Sequence, residues 1–192
     1  MKKLVYLVLF VSLVFYGWRY YSENFSSHVK KSFEVNDTYI ELVEREFLRG
    51  KLTMAVPSDL EKVTKSQAKN KEILNTKPDE VYNIQGTAIQ VYVQRTDIKM
   101  TDFGIKDYKQ DLDLSLPQSG FIDKILGSGI KVINIKNVAY YEVSTTTNHL
   151  YNYICLTELQ GKLVIIHFMF PLDDMKEWRP VARSMMNSIR TN

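Results

Sequence analysis

Residues 150–170, LYNYICLTELQGKLVIIHFMF, decide the fold that this chain is predicted to adopt. Two runs rich in β-branched and aromatic residues, Leu150–Glu158 and Leu163–Phe170, flank the dipeptide Gln160-Gly161, and this arrangement predicts a β-hairpin. With a two-residue loop, one face collects Tyr151, Tyr153, Cys155, Val164, Ile166, Phe168 and Phe170, and the other collects Ile154, Leu156, Leu163, Ile165 and His167. Because both faces are mostly apolar, the hairpin is predicted to lie in the middle of a sheet that is covered on both sides.

The sequence on either side of this hairpin predicts further strands. Apolar or alternating runs bounded by turn signals occur at residues 39–48, 51–56, 81–84, 88–93, 130–135 and 138–145. The dipeptides Arg49-Gly50 and Gln85-Gly86 supply the turn signals of the first two pairs. The first run also fits a helix, because Tyr39, Val43 and Phe47 share one helical face.

Three helices are predicted between and after these strands. The first begins near Ser58, because Ser58 and Glu61 have the spacing of a capping box, and its apolar stripe consists of Leu60, Val63 and Ala68. Asp102 is predicted to cap the second helix. Its apolar stripe consists of Ile105, Tyr108, Leu112 and Leu116, with Lys106, Asp107, Lys109 and Asp111 off the stripe.

The third helix is predicted from Asp173 or Asp174 to Ile189. Its apolar face consists of Met175, Trp178, Val181, Ala182, Met185 and Ile189. Pro180 fits this helix if it lies in the first turn, where a missing N–H group costs little.

Three stretches carry a resemblance to a known fold: Leu52–Pro57, Gly161–Ile166, and the ending from Trp178-Arg179-Pro180 to Met185–Ile189. With the order of hairpins and helices, they resemble the PsbP-like α/β/α sandwich superfamily, which includes photosystem extrinsic proteins, Mog-type Ran-binding proteins and small bacterial envelope proteins. The resemblance implies an α+β fold in which an antiparallel sheet is flanked by helices. It also implies a binding, assembly or chaperone module, because this fold has no shared catalytic motif. One bacterial branch resembles chaperones of secreted effectors, which lack an export signal.

Residues 1–21 predict a signal anchor. Lys2 and Lys3 precede an apolar run of about 15–18 residues, close to the shortest span of a membrane helix. The predicted anchor residues include Leu4, Val5, Leu7, Leu9, Phe10, Leu13, Phe15 and Trp18. The residues Trp18–Tyr21 resemble the aromatic and basic belt of a membrane interface. Because a small-residue cleavage site is missing, an uncleaved anchor is favoured over a cleaved signal peptide, which would leave a secreted or periplasmic protein.

The two lysines ahead of the run place the N-terminus in the cytoplasm and the C-terminal domain outside the inner membrane. Residues 22–37 are predicted to form a stalk, and residues 38–192 one globular domain. Cys155 is the single cysteine, so no intramolecular disulfide can form, which is typical of a bacterial envelope protein held by packing alone. The formal net charge of +3 is too small to indicate nucleic acid binding.

The residues that could carry chemistry do not assemble into a motif. His28, His149 and His167 lack metal-ligand spacing, and Cys155 lies among apolar neighbours, which favours a buried, inert thiol. The carboxylates Asp107, Asp111 and Asp113 alternate with lysines and indicate a solvated helix face. The same holds for the basic run Lys62, Lys65, Lys69, Lys71 and Lys77, for which an anionic lipid site is the alternative. No catalytic residue, cofactor or metal is predicted.

The segment Pro117–Gly129 is predicted as a loop with the glycines Gly120, Gly127 and Gly129. Its apolar residues Phe121, Ile122, Ile125 and Leu126 are the candidate partner-binding positions, because apolar side chains on a loop often mark an interaction surface. A short helix packed on the sheet is the simpler interpretation of the same residues.

The sequence thus predicts a membrane-tethered, extracytoplasmic and non-enzymatic binding module, with the lipid bilayer and an envelope protein as partners. One alternative is a small hydrolase or ligand-binding domain with a cleft near residues 117–129, in which His149 or His167 meets a carboxylate. Another is a periplasmic immunity or chaperone-like protein for a secreted effector.

Overall fold

A computed structural model of the protein describes residues 32–35, 38–64, 78–120, 122–145 and 149–192, and residues 31–192 form one compact unit. The strands are β1 (Ser32–Val35), β2 (Thr38–Phe47), β3 (Leu52–Pro57), β4 (Leu60–Val63), β5 (Glu80–Ile84), β6 (Gln90–Lys99), β7 (Lys124–Ile133), β8 (Lys136–Thr145), β9 (Leu150–Leu159), β10 (Lys162–Pro171) and β11 (Arg190–Thr191). The helices of this described part are α1 (Gly104–Ser115) and α2 (Met175–Asn187), with 3-10 turns at Leu116–Gln118 and Leu172–Asp174. The predicted α+β class is confirmed.

The hairpin predicted from residues 150–170 is confirmed and lies in the middle of the large sheet, whose strand order is β4-β5-β6-β10-β9-β8-β7. Gln160 and Gly161 form its turn, and both have a positive φ, as a type I′ hairpin turn requires. Cys155 pairs with Ile166, in the register from which the two faces were predicted. β9 is buried along its whole length, because other elements cover both faces of the sheet.

Different helices cover the two faces of the large sheet. Tyr141 on β8 donates a hydrogen bond to the carbonyl of Lys109 on α1 at 2.9 Å. Tyr153 on β9 donates to the sulfur of Met186 on α2 at 3.2 Å. Tyr153 pairs with Glu142, the neighbour of Tyr141, so the two tyrosines point to opposite sides of the sheet. We call these sides the α1 face and the α2 face.

A small sheet with strand order β1-β2-β3-β11 contacts α2. Its strands β2 and β3 form the predicted hairpin, with Val43 opposite Val56. The hydroxyl of Ser188, just after α2, accepts a hydrogen bond from the Ala55 N–H at 2.8 Å and donates to the Met185 carbonyl at 2.6 Å. These bonds fix the end of α2 to β3.

Strand β1 comes from the segment that the sequence predicts as a stalk. Ser32 pairs with Glu41, and Phe33 and Val35 are buried, so the folded domain begins before residue 38. The predicted anchor, Leu4–Trp18, lies outside the described residues. In the described part of the chain, no helix has the length and apolar character that crossing a membrane requires.

The helix predicted from Ser58 is wrong in its described part. Residues 60–63 form β4, which pairs with β5, and Leu60 is fully buried. The carbonyl of Leu60 also accepts a hydrogen bond from the Arg45 guanidinium. A helix cap contributes only about 1 kcal/mol, so strand pairing and burial outweigh the local signal.

Helix α1 buries the predicted stripe, but Asp102 does not cap it. Ile105 and Leu116 are buried, and Tyr108 and Leu112 pack against the same core. The Asp102 carboxylate instead accepts hydrogen bonds from the backbone and side-chain N–H groups of Asn137, at 2.8 and 2.6 Å. The Thr101 hydroxyl accepts from the Gly104 N–H at the start of the helix.

Helix α2 buries the predicted face, including Trp178, Val181, Ala182 and Met185. It begins at Met175, so Pro180 lies beyond the first turn and not within it, on the exposed side of the helix. There its ring faces solvent and leaves the packing of the opposite side intact.

Candidate functional site

Strand β7 forms one edge of the large sheet, at a place where the sequence predicts a loop or a short helix. It pairs with β8, and within the described residues no strand lies along its other side. A β-bulge between Ile125 and Gly127 makes Leu126 an extra residue on this strand. The prediction for Pro117–Gly129 is therefore wrong from Lys124 onward.

The two glycines of β7 explain this error. Gly127 lies opposite Glu142, and Gly129 lies opposite Tyr140. A Cβ atom at Gly129 would lie 2.9 Å from the Tyr140 ring, closer than real Cβ contacts allow, whereas one at Gly127 would lie 3.5 Å from the Glu142 carboxyl carbon. Glycine in a strand permits such a close approach of neighbouring groups. Gly129 therefore serves packing against Tyr140, and neither glycine marks a turn.

On the α2 face, a buried carboxylate joins β8, β9 and α2. The side chain of Glu142 is 1% exposed. Its Oε2 accepts hydrogen bonds from the Tyr151 hydroxyl at 2.7 Å and from Nε of Arg179 at 2.6 Å. Its Oε1 accepts two from Arg183, at 3.0 and 2.8 Å. We call these four residues the Glu142 cluster.

The contacts of this cluster favour the ionised form of its acid. Burial opposes ionisation of Glu142, but the hydrogen bonds from Tyr151, Arg183 and Arg179 outweigh burial and hold the pKa of the carboxyl below its ordinary value. Burial, together with the bond to Glu142, raises the pKa of Tyr151. Tyr151 therefore stays a hydrogen-bond donor at any working pH.

On the α1 face, a buried lysine contacts Tyr141, which neighbours Glu142 on β8. Lys109 is predicted to lie off the apolar stripe of α1, yet it is buried. Its Nζ donates to both oxygens of Asp113 at 2.8 and 2.9 Å and lies 5.1 Å from the centre of the Tyr141 ring. It also lies 3.4 Å from the hydroxyl of Ser128 on β7. We call Lys109, Asp113, Tyr141 and Ser128 the Lys109 cluster.

Hydrogen bonds in the Lys109 cluster also set its protonation states. Burial opposes ionisation of Asp113, but the bonds from Lys109 and Tyr141 hold its pKa below the ordinary value. Burial and the bond to Asp113 raise the pKa of Tyr141. The cluster therefore favours the ionised form of Asp113 beside the Lys109 amino group.

Basic side chains accompany β7 on the α2 face. Lys124 pairs with Ser144 and Lys131 with Val138, which places both lysines on the same side of the sheet as Glu142, and both are exposed. Arg179 and Arg183 are 34% and 46% exposed, so their guanidinium groups reach solvent as well as Glu142. Because the two arginines more than neutralise Glu142, these side chains together leave a net positive charge on this side of β7, with Asp123 as an exposed carboxylate next to Lys124.

The predicted partner-binding residues lie at the beginning of this edge. Ile122 and Ile125 are partly buried and pack against the core beneath α1, and Leu126 is the half-buried bulge residue. Phe121 lies outside the described residues. Ile122, Ile125 and Leu126 are therefore part of, or next to, a strand edge instead of projecting from a loop. Their binding role remains a prediction.

The described histidines and the cysteine lie elsewhere. The ring of His149 meets Asp173 at 3.0 Å, where both side chains are more than half exposed. His167 is buried, and its Nε2 lies 2.9 Å from the amide oxygen of Asn152. Burial lowers the pKa of His167 to about 3 and raises that of Cys155. His28 lies outside the described residues.

An apolar cleft lies between α2 and the large sheet. Its lining includes Leu60, Val91, Phe168, Phe170 and Trp178. No histidine or carboxylate lines it. None of its lining residues falls within residues 117–129, where the hydrolase alternative predicts a cleft, so that alternative stays a prediction.

The fold has known counterparts among solved structures. Cyanobacterial PsbP from Synechocystis sp. PCC 6803 superposes with a TM-score of 0.53 at 12% identity, over 79% of this chain and 92% of that protein. The fold is PsbP-like. At this identity the likeness concerns the PsbP-like fold alone.

Two further solved structures are less similar. A Pseudomonas aeruginosa protein of unknown function matches with a TM-score of 0.45 at 12% identity, over 79% of this chain and 97% of that one. A Bacteroides thetaiotaomicron protein matches with a TM-score of 0.47 at 10% identity, over 78% of this chain and 48% of that one. No protein-family model and no curated protein matches the sequence.

Proposed function

We propose that the protein is a membrane-tethered, extracytoplasmic binding module without catalytic activity, and that an envelope protein adds an extended segment to β7. The observation that carries the proposal is the ten-residue edge strand, which in the described part of the chain is paired on one side only. An open edge presents unpaired N–H and C=O groups, to which a partner strand can bind.

The charges beside this edge support a partner segment that is rich in Asp and Glu. Lysines and a bulge on an edge strand also discourage indiscriminate pairing, and this accounts for Lys124, Lys131 and Leu126. Arg179 and Arg183 both pair with Glu142, and because two cations meet one carboxylate, one positive charge is left over on the same side of β7, where both arginines remain partly exposed. Complementary charges would select an acidic strand and speed its association.

The location rests on the sequence of the first 21 residues. The run from Leu4 to Trp18, its preceding lysines and its aromatic boundary support an inner-membrane anchor with the folded domain outside the cytoplasm. If the leader is cleaved, the same domain is periplasmic or secreted. The intact mass of the protein recovered from whole cells and from the culture medium decides between the two, since cleavage removes the leader from the mature chain.

Photo-crosslinking in intact envelopes tests the binding edge. A benzoylphenylalanine residue at Ser128, exposed on β7, should yield an adduct whose crosslinked peptide is extended and acidic. The matched control carries the same probe at Glu61, exposed on β4 at the opposite edge of the sheet. Equal adducts from both edges, or adducts that map to a folded basic surface, would contradict the proposal.

Charge reversal gives an independent measurement. Lys124→Glu combined with Lys131→Glu should abolish the adduct at Ser128, while Lys62→Glu on β4 should leave it unchanged. If the crosslinked partner is a toxin whose activity the protein suppresses, the immunity alternative becomes the better description. Turnover of an ester or peptide substrate that depends on His149 would favour the hydrolase alternative.

A further inference from the structure

One end of the large sheet gathers several turns and the beginning of α1, and we call it the hairpin end. Lys136 Nζ contacts Glu158, which places the β7–β8 turn beside the β9–β10 turn. The Met100 N–H donates to the Gly161 carbonyl at 2.9 Å, which brings in the end of β6. The bonds between Asp102 and Asn137 tie the start of α1 to the same place.

The hairpin end holds most of the exposed large apolar side chains of the described residues. Ile135 in the β7–β8 turn is 80% exposed, and Phe103 before α1 is 79% exposed. Val132 and Ile98, near the ends of β7 and β6, are 54% and 43% exposed. Single exposed apolar residues are ordinary, but a group of them at one end marks an interaction surface.

The backbone at Ile135 is unfavourable for the residue that occupies it. Asn134 and Ile135 have φ angles of 47° and 64°, as the central positions of a type I′ turn require. Asn tolerates this conformation, but a β-branched residue rarely adopts it, and glycine is the usual choice at the second position. Ile135 therefore lowers the stability of the domain and gains no burial within it. A contact of its side chain with something outside the domain would explain why isoleucine stands there.

Lysines surround the apolar side chains. Lys51, Lys99, Lys136 and Lys162 lie at this end. Carboxylates at the same end are Asp97, which pairs with Lys162, Glu158, which pairs with Lys136, and Asp102, which is turned toward Asn137. The β2–β3 turn adds one charge of each sign, Arg49 and Glu46, so Lys51 and Lys99 remain as the excess cations. Apolar side chains flanked by lysines suit the boundary of an anionic bilayer, where the apolar part enters and the ammonium groups meet lipid phosphates.

The chain connection is compatible with this contact. β1 runs from Ser32, beside Glu41, to Val35, beside Thr38, so its N-terminal end points toward the end of the small sheet where the β2–β3 turn lies. That turn adjoins the hairpin end, since Lys51 Nζ donates to Gln160 at 2.9 Å. Between Trp18 and β1, residues 19–31 reach at most about 45 Å when fully extended.

We infer that the hairpin end rests on the surface of an anionic bilayer, with Ile135 and Phe103 inserted among the lipid headgroups. The inference rests on the membrane tether of the proposed function, but it is independent of the partner at β7. It orients the domain, because β7 ends at the membrane and extends away from it. The edge that a partner strand would bind then stands clear of the lipid.

Depth-dependent fluorescence quenching tests this orientation in the full chain, reconstituted into nanodiscs that contain phosphatidylglycerol. An environment-sensitive dye is attached at Ile135→Cys in a Cys155→Ser background. The matched control is Leu114→Cys, at an apolar residue that is 73% exposed near the other end of α1. The dye at position 135 should shift its emission to shorter wavelength and be quenched by nitroxide lipids, whereas the dye at position 114 should show neither effect.

Each other outcome overturns the inference in a distinguishable way. If the chain enters nanodiscs and the two dyes behave alike, the tether stands and the orientation is wrong. If the chain does not enter nanodiscs, the tether and the lipid contact both fail. If the dye at position 135 shifts in detergent without lipid, and more so at higher protein concentration, a second copy of the chain covers this end.

A glycine variant separates lipid contact from folding. Ile135→Gly should raise the melting temperature by about 2–4 °C, because it relieves the turn. In the same variant, a dye placed at Phe103→Cys should lose part of its quenching by nitroxide lipids. Unchanged quenching would show that Ile135 does not hold this end at the bilayer.

Discussion

The two faces of the large sheet differ in which element supplies the buried charge and which supplies its partner. On the α2 face the sheet supplies the charge, Glu142 on β8, and the helix supplies its neutralising partners, Arg179 and Arg183. On the α1 face the helix supplies both charges, Lys109 and Asp113, one turn apart. There the sheet contributes only neutral hydroxyl groups to the cluster.

This difference decides how firmly each helix is bound to the sheet. If α2 moves away, Glu142 loses its cations while the sheet still buries it, and an uncompensated buried charge is costly. If α1 moves away, the pair of Lys109 and Asp113 leaves intact and enters water together. The ion pairs with Glu142 therefore hold α2 to the sheet, whereas α1 is held mainly by its apolar core.

Removing both arginines should have the largest effect. The double variant Arg179→Ala and Arg183→Ala leaves Glu142 buried without a cation, and we expect a loss of about 3 kcal/mol in the free energy of unfolding. Urea unfolding of the full chain in mild detergent, followed by circular dichroism, measures it. The matched change on the other face, Asp113→Ala, should cost only about 1 kcal/mol, because the long side chain of Lys109 can turn its ammonium group toward water. Equal losses would refute the distinction between the faces.

The free energy of unfolding of the unsubstituted protein should depend on pH in a way that distinguishes the two faces, because different groups titrate on each face. His167 lies on the α1 face, and its pKa is about 3 in the folded protein against about 6.5 in the unfolded chain. Between these values the unfolded state binds the extra proton, so stability is full above pH 6.5 and falls with decreasing pH. From pH 6.5 to pH 5 we expect a loss of about 1.5–2 kcal/mol.

The Glu142 cluster should not respond in that window. The folded pKa of Glu142 is lowered, so its contribution is present above about pH 4.5 and is lost only as the pH falls further, through the folded pKa. His167→Gln should flatten the unfolding free energy between pH 6.5 and pH 5, and His149→Gln, at an exposed site, should not. An unchanged slope in His167→Gln would assign the acid sensitivity to other groups.

The parts of the fold that the sequence predicts are those with a strong local pattern. Residues 150–170 consist of two long runs rich in β-branched and aromatic residues around a good turn, and the face of α2 repeats at helical spacing, so the local signal and burial agree. Residues 60–63 and 124–133 lack this agreement. A capping box at Ser58 and the glycines of β7 are local signals that distant strands, β5 and β8, override.

The clusters beside β7 were only partly accessible from sequence. The spacing of Lys109 and Asp113, like that of Arg179 and Arg183, places each pair on one side of a helix and could have been noted. The link to Glu142 could not, because 37 and 41 residues separate it from the two arginines. Nothing in the local sequence distinguishes Glu142 from the solvated glutamates. Its burial follows from the fold, which brings Arg179 and Arg183 to it.

Removing one hydroxyl group on each face should lower the stability by different amounts, and the difference should be smaller than for the charged residues. Tyr151→Phe deletes a hydrogen bond to the buried Glu142 carboxylate, and we expect a loss of about 2 kcal/mol. Tyr141→Phe removes one O–H that the Lys109 carbonyl and Asp113 share. Asp113 is 43% exposed and can bind water instead, so about 1 kcal/mol should be lost. Thermal unfolding of the two variants at neutral pH compares them. A larger loss in Tyr141→Phe would reverse the ranking of the faces.

The smallest expected effects lie in β7 itself and test whether its glycines are needed for packing. Gly129→Ala brings a methyl group to 2.9 Å from the Tyr140 ring, which is only partly buried and can shift, so a loss of about 1 kcal/mol is expected. Gly127→Ala makes an ordinary contact with Glu142, and its lower entropy in the unfolded chain should offset any cost. Melting temperatures of the two variants measure the difference. If both are neutral, the glycines are dispensable for packing, and their presence on the α2 side of the edge would instead reflect the close approach of a partner strand.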